Sequence, residues 1–378
     1  MSFEIESIDI RDKMKEKLLS FDKGLLIPVI ALMVIGFLMA FSAFPYNAQR
    51  IGANGFALTK KYLIYAFVSC IVMAIFSFSN QRRIKSLGII GFIGTLALLV
   101  SVFFIGTTIK GGTRWIDIGI TTIQPSELLK PFYIIVNAIL LVRFKKNMKK
   151  NRTLQARKLG VLILALFGFI AGNIIIQPDL GMTLVFFVIF ASQVFIAGFP
   201  WKYVIGFAGI GVGMIFLAYN TLPHVHKRIN TFLYPEQSDT YQIDSALRTI
   251  KASGFFSSPG NILKKNVPDV HTDFILAAIF ENLGIIGGVG VLCLILWIVI
   301  KGFKVCKKRL IDDDFALFVA FPMIILFLTQ CLINIGGTLR LIPSKGATLP
   351  FVSYGGSSYL CFAVVFGVLI SLTRKYNF

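Results

Sequence analysis

Residues 25–44 read Leu-Leu-Ile-Pro-Val-Ile-Ala-Leu-Met-Val-Ile-Gly-Phe-Leu-Met-Ala-Phe-Ser-Ala-Phe, without one charge. About 20 apolar residues is the length an α-helix needs to cross a bilayer core. Further apolar runs follow at 62–79, 87–106, 125–142, 160–176, 181–199, 203–221, 274–300, 315–335 and 354–372. The eighth is long enough to tilt or to break near Gly284, Gly287 and Gly288. Lipid offers backbone groups no solvent partner, so these runs are expected to be helices. The alternating segments of about ten residues that mark a β-barrel are absent. The predicted fold is an all-α polytopic membrane protein with ten transmembrane helices, forming one domain over residues 1–378.

Composition points the same way. The chain is 56% hydrophobic and 15% charged, with 37 Phe. A soluble protein carries about 25% charged residues, and a disordered one lacks the apolar content. The net charge of +20 raises the question of nucleic acid, but its distribution favours a membrane surface. With the N-terminus inside, 24 Lys and Arg fall on inner segments and 13 on the longer outer ones. The positive-inside rule then predicts both termini in the cytoplasm, with residues 1–23 as a cytoplasmic tail. That tail has no apolar core of a cleavable signal peptide, so the first span is expected to direct insertion. The cluster Arg143, Lys145, Lys146, Lys149, Lys150 and Arg152 reads as an orientation and anionic-lipid signal. Five scattered cysteines, with no CxxC spacing, read as small core residues.

One outer loop dominates, at 222–272 between the seventh and eighth helices. It is long, polar and without obvious structure, which marks a functional or disordered segment. It holds all three histidines, His224, His226 and His271. With Asp273 they raise a metal site, but the spacing is weak and solvated loop histidines are the commoner case.

Acids at membrane depth are costly and informative. Glu127 and Lys130, three apart at the start of the fourth span, share a helix face and can pair. They read either as a structural ion pair or as a lysine turned to an anionic ligand and oriented by the glutamate. Pro125 suits the first turn, with Ser126 or Gln124 as cap. Asp179, in a short turn between spans, reads as a helix cap or as a carboxylate holding a cation or basic side chain. Thr272 or Asp273 would cap the eighth span. Asp273, beside His271 at a cavity mouth, is also a general-base candidate, with Glu281 about two turns deeper. The last outer loop, from Arg340 through Lys345 and Ser353 to Ser358, offers glycines and hydroxyls either to an anion or to helix packing. The outer cations Arg114, Arg228, Arg248, Lys251, Arg340 and Lys345 suggest an anionic ligand at the outer leaflet.

Several strings recur together: Gly112-Thr-Arg-Trp115, Gln124-Pro-Ser-Glu127, Gln177-Pro-Asp-Leu-Gly181, Tyr241-Gln242, His271-Thr-Asp-Phe274 and Pro350-Phe-Val-Ser-Tyr-Gly-Gly-Ser-Ser358. In this order, over about 25–372, the chain resembles the SEDS family of bacterial shape, elongation, division and sporulation proteins. Pro223-His-Val225 before Arg228-Ile229, Asp239-Thr-Tyr-Gln242 and Pro343-Ser-Lys-Gly346 make it most similar to the division-type branch rather than the elongation type.

The resemblance implies a peptidoglycan glycosyltransferase of the bacterial cytoplasmic membrane, at the division septum, polymerising lipid II onto an undecaprenyl-diphosphate-linked glycan. It implies Asp273 as the catalytic acid/base residue. Arg114, Glu127 and Lys130 would support it, and Asp179, Arg228, His271, Glu281, Lys345 and Ser353 complete the expected substrate-binding set. It implies a class B penicillin-binding protein and other divisome proteins as partners, and allows a divalent cation, Mg2+ or Mn2+. The chain departs from the family pattern at Asn282, where a second acid is usual, and at Gly254–Gly260, where a Gly-rich stretch is usual. A lipid flippase or transporter, and a non-catalytic scaffold, stand as the alternative readings.

Overall fold

The computed structural model describes residues 20–45, 56–109, 112–119, 121–237, 240–256, 269–343 and 346–374. Each of the ten apolar runs falls on a helix, starting with α1 (Lys23–Ser42), α2 (Ala57–Phe78) and α3 (Gln81–Ile105). The next four are α4 (Pro125–Lys149), α5 (Thr153–Ile176), α6 (Leu180–Ile196) and α7 (Trp201–Thr221). Two short helices follow, α8 (Pro223–Leu233) and α9 (Tyr241–Ala252). The chain ends with α10 (Ile275–Arg309), α11 (Asp314–Thr338) and α12 (Gly356–Leu372). Among the described residues, six helices are long and apolar enough to cross a membrane: α1, α2, α3, α5, α10 and α11.

Burial sorts the helices into centre and rim. In α12 every residue from Ser357 to Leu372 but Leu360 is buried, and α11 is nearly as enclosed. Such helices are apolar all round because they have no outer face. α12 packs against α2 and α4, while α11 packs against α6, α4 and α10. The rim helices α2, α3 and α5 instead expose Phe67, Phe104 and Val161. Lipid covers such a surface without cost, whereas water does not.

One polar cluster ties helices together inside this apolar frame. Gln193 of α6 donates to the carbonyls of Ile134 (2.9 Å) and Phe318 (3.2 Å), and accepts from Asn137 at 2.9 Å. Gln193 thereby pins α6 to α4, through Ile134 and Asn137, and to α11, through Phe318.

Three expectations need correction. The fold is not purely helical: Gly106–Ile109, Gly112–Asp117 and Thr122–Ile123 form strands β1, β2 and β3 of a small antiparallel sheet. Its β-branched and aromatic residues, with Thr107 opposite Trp115, favour the pleat over a loop. The 222–272 loop is not structureless, since α8 and α9 lie within it. On α9 one face buries Ser245, Ala246 and Thr249, the i, i+1, i+4 pattern of an amphipathic helix. Finally, α10 begins at Phe274 with no side-chain cap, and Gln124 precedes α4 without capping it. The residues expected to cap these helices bond elsewhere. Of the 1–23 tail, only residues 20–23 are described.

α1 comes close to the loop before α12 at Gly36. A Cβ there would lie 2.2 Å from both the Phe351 carbonyl oxygen and the Tyr62 hydroxyl, which are themselves hydrogen-bonded at 2.9 Å. Gly36→Val is expected to cost roughly 1–3 kcal/mol by overpacking. Thermal unfolding of the purified protein should show the lowered midpoint, and an unchanged midpoint would contradict this packing.

Candidate functional site

A cavity of about 530 Å3 opens at the end of the bundle that carries the small sheet. Its walls include Arg114 and Trp115 of β2, Glu127 of α4, Asp179, Arg228 of α8, Asp269, His271, Asp273 and Thr348. At its floor, Lys130 under Glu127 stands 5.8 Å from the Phe362 ring, and Phe362, Phe327 and Phe366 pack together there, all fully buried.

Three local structures build these walls. Asp179 caps α6, with Oδ1 accepting from the Met182 N–H at 3.0 Å. Its Oδ2 stands 3.3 Å from Arg114 Nη1 and accepts from Gln124 Nε2 at 3.3 Å. Both readings of Asp179 therefore hold in one side chain. It caps a helix and it holds a basic group, fixing the β2 arginine over the cavity.

Glu127 and Lys130 pair at 2.7 Å, one helical turn apart. Lys130 also donates to Gln330 Oε1 at 3.4 Å, and Gln330 Nε2 donates to the Thr348 carbonyl at 3.4 Å. The Lys130 side chain has no exposed surface. It lies under Glu127 rather than on the cavity wall, so it holds the carboxylate instead of meeting a ligand directly.

The third structure is the turn that presents Asp273. Its carbonyl accepts from Asn334 Nδ2 (3.1 Å) and from the Thr338 hydroxyl (3.2 Å). Asn334 bonds the Ala347 carbonyl as well, at 2.6 Å. The Thr272 carbonyl takes the Ser353 hydroxyl at 2.6 Å, and the His271 carbonyl takes the Tyr354 N–H at 2.8 Å. Three successive carbonyls are thus held from α11 and from the loop before α12. The Asp273 carboxylate faces the backbone of Gly346. The His271 ring sits against Tyr354 and Phe44.

Electrostatics favour an anion between the two arginines. Arg228 has its pKa lowered, first by burial in the cavity and then by the like charge of Arg114. Asp179 and Asp273 pull it the other way. Although Arg228 as a residue is exposed, its guanidinium is aimed inward at these groups. Arg114 Nε has no hydrogen-bond partner. Two guanidiniums sharing one wall relieve their repulsion by binding negative charge.

The cavity gathers Asp273, Arg114, Glu127, Asp179, Arg228 and His271 of the expected residues. Ser353 is buried and serves the Thr272 carbonyl, not the cavity surface. Glu281 is buried on α10 away from the lining, and the Asn282 amide beside it donates to the Ala278 carbonyl at 2.6 Å, a bond an ionised acid cannot give. Lys345 lies outside the described residues, as do the stretches 257–268 and 238–239. The two histidines whose side chains are described have different ring partners: His226 stacks on Tyr219, while His271 packs against Tyr354 and Phe44. The His224 side chain is not described. Among the described residues, no three His, Cys, Asp or Glu side chains are placed to hold a metal ion. Gln330, Asn334 and Thr338 were not singled out from the sequence. Their i, i+4, i+8 spacing in an apolar span was the available signal, since it marks one polar stripe on α11.

Comparisons with known proteins identify the family and the fold. The family model FTSW_RODA_SPOVE, described as cell cycle protein, matches residues 23–377. A relative from Caulobacter vibrioides, named a probable peptidoglycan glycosyltransferase FtsW, is 35% identical over 94% of this chain and 89% of its own. A relative of the same name from Escherichia coli is 31% identical over 96% of this chain and 88% of its own. A chain from a solved peptidoglycan synthase complex superposes with TM-score 0.73 at 24% identity, over 94% of this chain and 98% of that one. The Thermus thermophilus rod shape determining protein RodA superposes with TM-score 0.64 at 23% identity, over 95% and 99%. The two structures carry the fold, and the family model and the relatives carry the kinship: the chain is a member of the SEDS (FtsW/RodA/SpoVE) family, on its FtsW-like side.

Proposed function

We propose that this protein is a peptidoglycan glycosyltransferase that polymerises lipid II into β-1,4 glycan strands during cell division. The relatives' names support the activity. The observation that carries the chemistry is one cavity holding a carboxylate on a clamped turn opposite two arginines.

Asp273 is the general base. It takes the proton from the acceptor 4-hydroxyl as that oxygen attacks the donor's anomeric carbon. The bond from that carbon to the undecaprenyl diphosphate breaks, and configuration inverts. A direct displacement needs one base and a stabilised leaving group, not a pair of carboxylates. Arg114 and Arg228 meet the departing diphosphate. Glu127, held by Lys130, and Asp179, held by α6, fix the cavity shape and keep Arg114 oriented. A divalent cation, Mg2+ or Mn2+, fits only with substrate oxygens completing its shell. Asp269 and Asp273 would hold it, and it would add positive charge at the diphosphate.

All ten long helices are read as spans, with both termini inside and the cavity facing outward. The protein then lies in the bacterial cytoplasmic membrane at the septum, paired with a class B penicillin-binding protein among other division proteins. The structural neighbour from the peptidoglycan synthase complex works where polymerization and crosslinking are coordinated, which supports that pairing. A flippase needs a polar path through the whole bilayer, and the apolar residues under the cavity floor disfavour one.

Three experiments test this reading. With fluorescent lipid II and the purified protein plus its transpeptidase partner, Asp273→Asn is expected to abolish glycan ladders while lipid II binding persists. Wild-type turnover in that variant would overturn the assignment. Lys130→Met leaves Glu127 buried without its cation and is expected to destabilise by roughly 3–5 kcal/mol. Adding Glu127→Leu should restore most of the unfolding midpoint but not polymerisation, so recovered activity in the double variant would remove the pair from the site. For topology, an impermeant maleimide on intact cells should label Glu236→Cys and spare Met148→Cys in a cysteine-free background. The opposite pattern would invert the orientation.

A further inference from the structure

The α10 helix is broken at Gly284, whose φ of 68° and ψ of −166° belong to a region that only glycine occupies readily. In an unbroken helix the N–H groups of Ile285 and Ile286 would bond the carbonyls of residues 281 and 282. Here Ile285 donates to the Gly254 carbonyl at 3.0 Å and Ile286 to the Phe255 carbonyl at 3.2 Å. Both acceptors lie on the strand of chain leaving α9. The fit is close: a Cβ on Gly284 would lie 2.4 Å from the Phe256 carbonyl carbon and 2.6 Å from the Phe255 carbonyl oxygen.

The far end of the same arm is also fastened. Asp244 of α9 meets Arg340, just past α11, at 3.2 Å. The half of α10 before the break, Ile275 to Leu283, follows Asp273 directly. That half is packed on most of its surface, from Ile275 to Phe280. Its direction is set at one end by the clamped carbonyls of 271–273 and at the other by the break.

We propose that Gly284 and the docked segment Gly254–Phe256 form a positioning joint for Asp273. The segment supplies the acceptors that the break requires, and so fixes the angle at which the short half-helix presents the Asp273 turn to the cavity. These residues touch no substrate. They act through the orientation of Asp273, so the inference rests on the assignment of Asp273 as the base.

The test uses the full-length protein in nanodiscs, with wild type and Asp273→Asn run beside Gly284→Ala. Hydrogen exchange on wild type should show the Ile285 and Ile286 amides protected like their helical neighbours. Fast exchange there would overturn the joint even if the variant does not fold. In Gly284→Ala, which cannot keep the break with the segment docked, exchange in peptides covering 253–256 and 284–287 should change. There kcat should fall roughly 10- to 100-fold, with KM for lipid II within about threefold. Unchanged kcat alongside altered exchange would refute positioning, as would a proportional rise in KM with kcat intact. If wild type and Asp273→Asn behave alike, the assignment of the base fails, and the joint loses its role with it.

Discussion

Three backbone carbonyls in a row, those of His271, Thr272 and Asp273, precede the first turn of α10 and are held from other parts of the fold. Asn334, Thr338, Ser353 and the Tyr354 N–H meet them. Those donors come from α11 and from the loop before α12, so satisfying one turn fixes the relation of the two most enclosed helices to α10. Asn334 adds the Ala347 carbonyl, and Gln330 adds that of Thr348. One polar stripe on α11 therefore joins the cavity floor, the loop above it and the Asp273 turn.

Strain is tolerated where this network is tight. Phe351 has a φ of 64°, a left-handed backbone that a bulky residue adopts at a cost of order 1–3 kcal/mol. Its carbonyl is held by Tyr62, and its ring packs edge-on against Tyr359 with centroids 5.2 Å apart. The strained residue sits two positions before Ser353, whose hydroxyl must reach Thr272. The bend places the hydroxyl, and the aromatic packing holds the bend.

Much of this was legible in the sequence, and the reasons differ by element. Apolar runs of bilayer length announced the long helices, because the membrane permits little else. The overlong run of α10 allowed a tilt or a break near Gly284, Gly287 and Gly288, and the break lies at Gly284 because the chain leaving α9 docks there. Asp179 and the Glu127–Lys130 pair were legible because short-range spacing decides them. What was hidden depends on distant chain segments. Burial of Lys130 beneath Glu127 follows from the approach of Gln330, 200 residues away. Ser353 looked like a ligand group until the Thr272 carbonyl was found within reach. The small sheet and α8 and α9 were missed because loop polarity masked alternation in one and a narrow apolar face in the others. The ring partners of His226 and His271, Tyr219 for one and Tyr354 and Phe44 for the other, were likewise beyond reach of the sequence.

The placement of α12 has a consequence for how the protein is made. This helix is buried along nearly its whole length, wedged between α2 and α4, which leave the ribosome some two to three hundred residues earlier. Until α12 is synthesised, the seam between those two earlier helices has no filler, and Tyr62, Phe351 and Tyr359 cannot meet. Chains synthesised vectorially pass through such unfinished states with their central surfaces open. The centre of this bundle is therefore filled only after the helices around it are made, and a nascent chain cut short before α12 carries a cleft where the finished protein has its core.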